Sequence, residues 1–424
     1  MTLLVITLIC FIILGMPIGY ALGLSGTCYF MFCNPSLISL LPERVFSGMD
    51  SFLLLSLPLF ILMGLIMNEG NLTARMVNLM MVLVGRIRGG LAVVNVMVSM
   101  VFGGISGSSV SDTASVGAIL IPEMEKNGYS KEFASGVTVA SSTMGMIIPP
   151  SIPMLIYASI SMESVGKLFV GTMIPGILIG LFMIVITIIL AKKRNVPKTN
   201  IKINSKETRK LFEEGILALL MPLLIIGAIV FGITTTTEAA ALGALYAFII
   251  GFFVTKTLKK ESFIPILKQT IKMSASCMIV IAFSKMFIWI LAVEHVPENM
   301  LLFIESLHLS KWVILLFVDL IILFIGMFLD VSPALMLITP VFLPAMTSIG
   351  VDPIQFGAIL ITGLAIGLVT PPVGMCLNVA SSITNLSIIK IFKAATPFVL
   401  ANIFTLLLVT YVPQISLALP NLIK

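Results

Sequence analysis

One stretch of apolar chain, interrupted twice by glycine, serine and proline, limits what this sequence can fold into more than any other feature. It runs from Gly103 to Pro153, GGISGSSVSDTASVGAILIPEMEKNGYSKEFASGVTVASSTMGMIIPPSIP. It also recurs: adding 222 to each number carries Gly104–Pro153 onto Gly326–Met375 without a gap. Gly104 falls on Gly326, Pro122 on Pro344, Met124 on Met346, Gly128 on Gly350, Gly145 on Gly367, and Pro149-Pro150 on Pro371-Pro372. The matches concentrate on glycine and proline, which set backbone geometry rather than fill volume. Apolar sequence yields chance matches easily, but not a tandem proline pair plus several aligned landmarks at one offset. The chain therefore reads as an internal duplication, with each broken segment half of a binding site.

With 58% hydrophobic and 10% charged residues, this is the composition of an integral membrane protein. The net charge of +6 then speaks to membrane orientation and not to nucleic acid, since no basic groove carries stacking residues. Cys10, Cys28, Cys33, Cys277 and Cys376 lie in apolar runs without metal-ligand spacing and read as buried small hydrophobes. His295 and His308 are too few for a metal centre. The first basic residue is Arg44, so the N-terminus lacks the charged start of a cleaved signal peptide and 2–31 is expected to be an uncleaved first span.

A span needs ~20 apolar residues. On that criterion 2–31, 51–68 and 72–86 are the first three crossings. In 91–124 two short apolar arms flank the polar tip Ser106–Thr113, which predicts a re-entrant hairpin. A span broken at Thr143–Ser151 follows over 131–160, then 168–191, a basic loop over 191–215, and spans at 215–233, 238–255 and 273–293. A second hairpin over 312–349 turns near Asp330, a second broken span covers 353–383, and 394–412 is the last crossing. Returning each hairpin to its own side places 20 of the 25 basic residues, Arg44 and Arg86 among them, on the side of the basic loop. That side is cytoplasmic by the positive-inside rule, and both termini face outward. The odd number of crossings between the hairpins makes the repeat inverted. The expected fold is an all-α polytopic membrane protein with two re-entrant hairpins and two broken helices. Its parts are scaffold at 1–90, hairpin and broken helix at 91–167, scaffold at 168–311, the second hairpin and broken helix at 312–390, and a terminal span at 391–424.

Hairpin tips and helix breaks leave backbone groups without helical partners inside a membrane, where each must be satisfied by protein, water or an ion. The tip Ser106-Gly107-Ser108-Ser109 and the carbonyls around Met146–Pro150 offer oxygen ligands to a hard cation such as sodium. Gly326 and Asp330, with Gly367 and Thr370-Pro371-Pro372, offer the same in the second half. Helix N-termini beside the breaks suit an anionic substrate. A mid-membrane aspartate costs ~2.5–3.5 kcal/mol, so Asp112 and Asp330 either bind ligand or cap a helix. Asp319 and Lys285 could pair, or Lys285 could snorkel. Glu238 reads as a helix cap.

These residues carry a resemblance. GGISGSSVSDTASVGAILIPEMEKNGY, IIPPSI, GMFLDVSPALMLITPVFLP and GLVTPPVG together resemble the large membrane subunit of tripartite ATP-independent periplasmic (TRAP) transporters, over essentially the whole chain. Arg88-Gly89-Gly90-Leu91, Thr237-Glu238-Ala239-Ala240 and the ending Val412-Pro413…Leu417…Leu419-Pro420 fit as well, with Ser111 a small departure where alanine is usual. The resemblance implies a sodium-driven elevator. One sodium is expected among Ser106, Ser108, Ser109, Gly145, Ile148, Pro149 and Pro150, a second among Gly326, Asp330, Gly367, Thr370, Pro371 and Val373. Ser108, Asp112, Thr143, Asp330 and Ser381 are candidates to touch substrate. No cofactor beyond sodium as coupling ion is expected. The substrate would be a small carboxylate, such as a sialic acid or a C4-dicarboxylate, delivered by a soluble periplasmic binding protein. A small four-span membrane subunit would be a separate chain, and the assembly would sit in the bacterial inner membrane.

Two readings compete. A sodium–carboxylate symporter needing no binding protein would share the repeat. An intramembrane enzyme would need a convergent nucleophile–base pair or metal triad that two histidines do not supply, so no enzymatic activity is expected.

Overall fold

A computed structural model describes residues 2–85, 87–194, 196 and 205–423, with 205–210 and 214 as backbone only. In chain order the helices are α1 (Thr2–Ile13), α2 (Ile18–Phe32), α3 (Leu41–Met49), α4 (Ser56–Glu69), α5 (Leu72–Val84), α6 (Gly90–Ser106) and α7 (Ser109–Lys126). Then follow α8 (Lys131–Ser141), α9 (Met144–Ile147), α10 (Ile152–Ser161), α11 (Val165–Lys193), α12 (Ser205–Val230), α13 (Thr236–Ile249) and α14 (Phe263–Val293). The last are α15 (Val296–Ser306), α16 (Lys311–Gly326), α17 (Val331–Ser348), α18 (Pro353–Gly367), α19 (Met375–Thr384), α20 (Ile388–Tyr411) and α21 (Gln414–Leu417). Among the described residues there is no strand, and eight helical stretches are long and apolar enough to cross a membrane.

The ends of α11 define two faces. Lys192, Lys193 and Arg194 mark a basic face, to which Arg194 holds the start of α8 by lying 5.1 Å over the Phe133 ring. Arg88 Nε donates to the Val196 carbonyl at 3.2 Å, so the α5–α6 turn lies there too. On the opposite face Tyr157 donates its hydroxyl proton to the Pro353 carbonyl at 2.5 Å, joining the end of α10 to the start of α18. Thr237 Oγ1 donates to the Phe52 carbonyl at 3.1 Å, placing the start of α4 beside the start of α13.

The hairpins α6–α7 and α16–α17 open to opposite faces, separated by five crossings: α8–α10, α11, α12, α13 and α14. Lys311 Nζ closes the open end of the second hairpin onto the Gly350 carbonyl at 2.6 Å. The repeat is exact at the ends of α7 and α17. Gly128 has φ +84° and Gly350 φ +77°. Tyr129 N donates to Met124 O at 3.0 Å and Val351 N to Met346 O at 2.9 Å, the same left-handed helix stop in both halves. Alanine there must adopt a conformation that favours glycine, so Gly128→Ala and Gly350→Ala are each expected to lower stability by ~1 kcal/mol in thermal melts of the purified protein.

The first three predicted crossings need correction. The 2–31 stretch is two helices, stopped at Gly15 (φ +80°) and restarted after Pro17. Leu4 packs with Leu22, Tyr29 and Phe30, so α1 doubles back along α2. α2 runs parallel to α14, its bare glycines Gly19, Gly23 and Gly26 lying against Val280, Phe283 and Met286. Phe32 therefore emerges on the opposite face, where Tyr29 donates to Glu294, and Arg44 lies on that face with it. The 72–86 stretch does not cross. Thr257 Oγ1 donates to the Gly70 carbonyl at 2.6 Å just before α5, and Arg88 reaches Val196 just after it. At ~1.5 Å rise per residue neither α1 nor α5 covers a ~30 Å hydrocarbon core. Three expected crossings thus become one, α4, which leaves every later element on its predicted side. Arg44 leaves the basic face and Arg75, on α5, joins it, so the charge asymmetry stands. Arg86, Lys424 and most of the basic loop (195, 197–204) lie outside the described residues.

α15 mirrors α5 between α14 and α16 on the opposite face. Each follows a left-handed residue, Asn71 and His295, both at φ +54°. Glu238 caps α13 as expected: its carboxylate accepts from Thr235 N at 2.8 Å while Thr235 Oγ1 accepts from Glu238 N at 3.3 Å. The cysteines are less uniform than expected, for only Cys376 is buried while Cys10 and Cys33 are exposed.

Candidate functional site

Of the eight crossing-length stretches the broken span α8–α10 is the most enclosed, whereas α11 is only partly buried. In its counterpart, every residue of α18 from Ile354 to Gly367 is buried. Protein therefore surrounds both breaks, which is where non-helical backbone is tolerated at membrane depth. Pro149-Pro150 and Pro371-Pro372 are both cis.

Each hairpin tip lies against the break of its own half. Gly107 ends α6 at φ +59°, and Ser108 starts α7, its Oγ accepting from Ser111 N at 3.4 Å. A β-carbon on Gly145 would lie 3.2 Å from the Ser108 carbonyl oxygen, one on Gly104 2.7 Å from the Pro149 oxygen, and one on Gly103 2.8 Å from the Met144 oxygen. Bare glycines thus bring tip and break backbones together with carbonyl oxygens in the seam. Ser151 Oγ donates to the Met146 carbonyl at 2.7 Å across the gap in the helix. In the second half, Gly326 and Gly367 touch backbone to backbone: a β-carbon on Gly367 would lie 2.3 Å from the Gly326 carbonyl carbon.

The first seam holds oxygens short of hydrogen bonds. The Ser109 hydroxyl and both Asp112 carboxylate oxygens are buried without a well-formed hydrogen bond among the described residues, the Ser99 hydroxyl lying beside Asp112. Three residues apart on α7, they share one side of that helix. A buried acceptor left unpaired is costly, and oxygen donors without competing N–H groups suit a hard cation. Beside them runs a polar ladder that sequence reading did not single out. Asn95 Nδ2 donates to Thr138 Oγ1 at 2.7 Å, Ser141 Oγ donates to Asn95 Oδ1 at 3.2 Å, and the Ser99 and Ser141 hydroxyls are 3.2 Å apart. Its signal was the helical spacing of Asn95 with Ser99 and Thr138 with Ser141, hidden among many small polar residues.

Asp330 starts α17, with Oδ1 accepting from Val331 N at 2.8 Å. It also lines a cavity of about 480 Å³ with Gly19, Cys277, Ser332, Val373 and Met375. Asp330 thus caps α17 and also lines the cavity, whereas Asp112 makes no cap hydrogen bond among the described residues. Through Ser276 and Cys277 the cavity adjoins a groove along the first half of α14 lined by Lys268, Gln269 and Lys272, on the basic face. The N-termini of α17 and α19, which begin at Val331 and Met375, bring partial positive charge to the same cavity.

Two substrate candidates are engaged elsewhere. Thr143 is fully buried, donating to the Ala140 carbonyl at 2.8 Å and accepting from Asn402 Nδ2 at 3.1 Å. Ser381 donates to the Leu386 carbonyl at 2.6 Å at the far end of α19. Thr370 Oγ1 donates to Ile366 O at 2.8 Å, which leaves its oxygen lone pairs available. Asp319 and Lys285 do not pair: Asp319 Oδ1 accepts from Thr410 at 3.1 Å, and Lys285 reaches the Ser159 carbonyl at 3.2 Å.

A family profile described as "Tripartite ATP-independent periplasmic transporter, DctM component" matches residues 5–415. The chain is 35% identical over 401 residues to a C4-dicarboxylate TRAP transporter large permease of Pseudomonas aeruginosa, covering 95% of this chain and 94% of that one. It is 36% identical over 408 residues to a sialic acid TRAP transporter large permease of Vibrio cholerae, covering 96% and 95%. In fold it resembles the crystal structure of the Alcanivorax borkumensis YdaH transporter, with a TM-score of 0.64 at 15% identity over 91% of this chain and 89% of that one. With two inverted hairpins closed on two broken helices, and a family match along nearly its whole length, the chain belongs to the DctM family and is a large membrane permease of the TRAP transporters.

Proposed function

We propose that this permease imports a small organic acid by sodium-coupled elevator transport. The observation that carries the reading is the set of unpaired oxygens at Ser109 and Asp112, placed where the first tip meets the first break. On this reading one sodium lies in that seam, ligated from Ser106, Ser108, Ser109, Gly145, Ile148, Pro149 and Pro150. A second lies near Gly326, Asp330, Gly367, Thr370, Pro371 and Val373. Substrate occupies the cavity beside Asp330, with Ser108 and Asp112 reached from the first half, the sodium lying between the Asp112 carboxylate and the anion so that the two do not repel. Each sodium moving down a 100 mV potential supplies ~2.3 kcal/mol.

The moving unit comprises 91–167 and 312–390, and the remaining helices form the scaffold. With the basic face cytoplasmic, the Asp330 cavity and its Lys268–Lys272 groove face inward, and Lys268 and Lys272 favour an anion leaving along them. The relatives named for C4-dicarboxylates and sialic acid support a carboxylate substrate. The tripartite family description supports a periplasmic binding protein and a small membrane subunit as partners in a bacterial inner membrane, and taking the basic face as cytoplasmic puts both termini in the periplasm.

Reconstituted with those partners, the protein is expected to accumulate a labelled carboxylic acid only when sodium is outside. Accumulation indifferent to sodium would end the coupling proposal, and uptake without the binding protein would favour the self-sufficient symporter. Ser106→Ala with Ser108→Ala is expected to raise the half-saturating sodium concentration severalfold, and an unchanged sodium curve would remove both from the site.

A further inference from the structure

A second polar pocket lies on the opposite face, where α3 and α14 meet the end of α10. It measures about 300 Å³, is lined by Arg44, Asp50, Ser159, Lys285 and Trp289, and shares no lining residue with the Asp330 cavity. We propose that it is a binding site for one carboxylate group of a small organic anion.

The two cations are held in place without being neutralised. The Arg44 guanidinium lies 4.9 Å over the Trp289 ring, which fixes its plane. Its Nε is buried without an acceptor among the described residues. Lys285, one turn before Trp289 on α14, donates to the Ser159 carbonyl at 3.2 Å, a neutral partner in the last turn of α10. Its stem passes directly over Gly48, where a β-carbon would lie 2.7 Å from Lys285 Cβ. Asp50 at the rim is exposed and makes no ion pair with either among the described residues. The lining therefore carries two positive charges against one negative, with no acid paired to the guanidinium among the described residues. A guanidinium fork matches a carboxylate with two parallel hydrogen bonds. The volume sits at the small end of ligand pockets.

A phospholipid phosphate shares this chemistry. The rim carries Ser47, Asp50 and Ser51 but also Leu54 and Met162, so a free carboxylate is the assigned ligand and titration with and without anionic phospholipid separates the two sources. On the transport reading above this is the face at which substrate arrives, but binding here requires neither sodium nor a partner protein.

The chain has two tryptophans, Trp289 and Trp312. In a Trp312→Phe background the pocket holds the only indole, and its fluorescence reports ligation of Arg44. Succinate titrated into the purified protein, in discs of zwitterionic lipid without sodium, is expected to give a saturable change. Arg44→Gln is expected to abolish it, and Lys285→Gln to raise the midpoint about tenfold, equal to ~1.4 kcal/mol. Arg44→Lys keeps the charge but loses the fork, and is expected to weaken binding too. Should Arg44 variants fail to fold, the Lys285 midpoint decides alone. A response that survives Arg44→Gln or is unmoved in Lys285→Gln would overturn the proposal. So would inorganic phosphate acting with the same midpoint as succinate, or a response that appears only when anionic phospholipid is in the disc. Loss of sodium-driven uptake with this titration intact would overturn the transport reading and leave the pocket standing.

Discussion

Gly367→Ala is expected to leave little folded protein and no measurable transport, the largest effect of any single methyl group added to this chain. The added carbon would sit 2.3 Å from the Gly326 carbonyl carbon and 2.4 Å from its Cα, so backbone and not a flexible side-chain end must give way. Overpacking typically costs ~1–3 kcal/mol, and a backbone obstacle puts this case at the upper end. Of two further variants at the first seam, Gly104→Ala, 2.7 Å from the Pro149 oxygen, should cost more than Gly145→Ala, 3.2 Å from the Ser108 oxygen. Gly227→Ala is the matched control: it lies inside α12 with nothing within 4 Å, and helix propensity favours alanine there. Yield and melting temperature of the four purified variants check the order. A Gly367→Ala protein that melts with the Gly227→Ala control would refute the backbone contact at the second break.

Asp112→Asn is expected to move stability and function in opposite directions. Both carboxylate oxygens are buried without a well-formed hydrogen bond among the described residues, so the neutral amide removes a desolvated charge. The variant should melt at a higher temperature than the wild type and lose sodium-dependent uptake. Functional sites commonly hold such stored instability. A variant that melts lower would mean that Asp112 is held by a partner in the native protein. A stabilised variant with unaltered sodium-dependent uptake would remove Asp112 from the ion path.

Much of the site was legible because it is written in glycine and proline. At one offset these residues mark where backbone must turn or approach closely, and both tips and both breaks lie where Gly104/Gly326, Gly145/Gly367 and the proline pairs placed them. The roles of the aspartates were not legible. Asp112 and Asp330 look alike in sequence, yet Asp330 begins a helix beside a cavity and Asp112 lies one turn inside a helix against Ser99 and the seam. Thr143 and Ser381 show the same limit. Thr143 sits beside the first break and Ser381 on the helix that follows the second, but a hydroxyl's partner depends on what packs opposite it, here Asn402 for one and Leu386 for the other.

The first ninety residues show the other limit. Hydropathy counts apolar residues but does not see a helix double back at Gly15–Pro17 or lie along a surface, so α1 and α5 were read as parts of crossings. The two errors cancelled because removing two crossings preserves parity.

The sequence by itself determined that the chain lives in a membrane, that it is two inverted copies of one plan, and where its backbone breaks. Those properties follow from composition, charge asymmetry and residues whose backbone freedom is unusual, all of which are local. Only the tertiary structure decided which polar atoms lack partners, that Arg44 and Lys285 meet across α3 and α14, and that the tip of each half closes on its own break. Pairing and vacancy belong to contacts between segments far apart in the chain, and no local pattern encodes them.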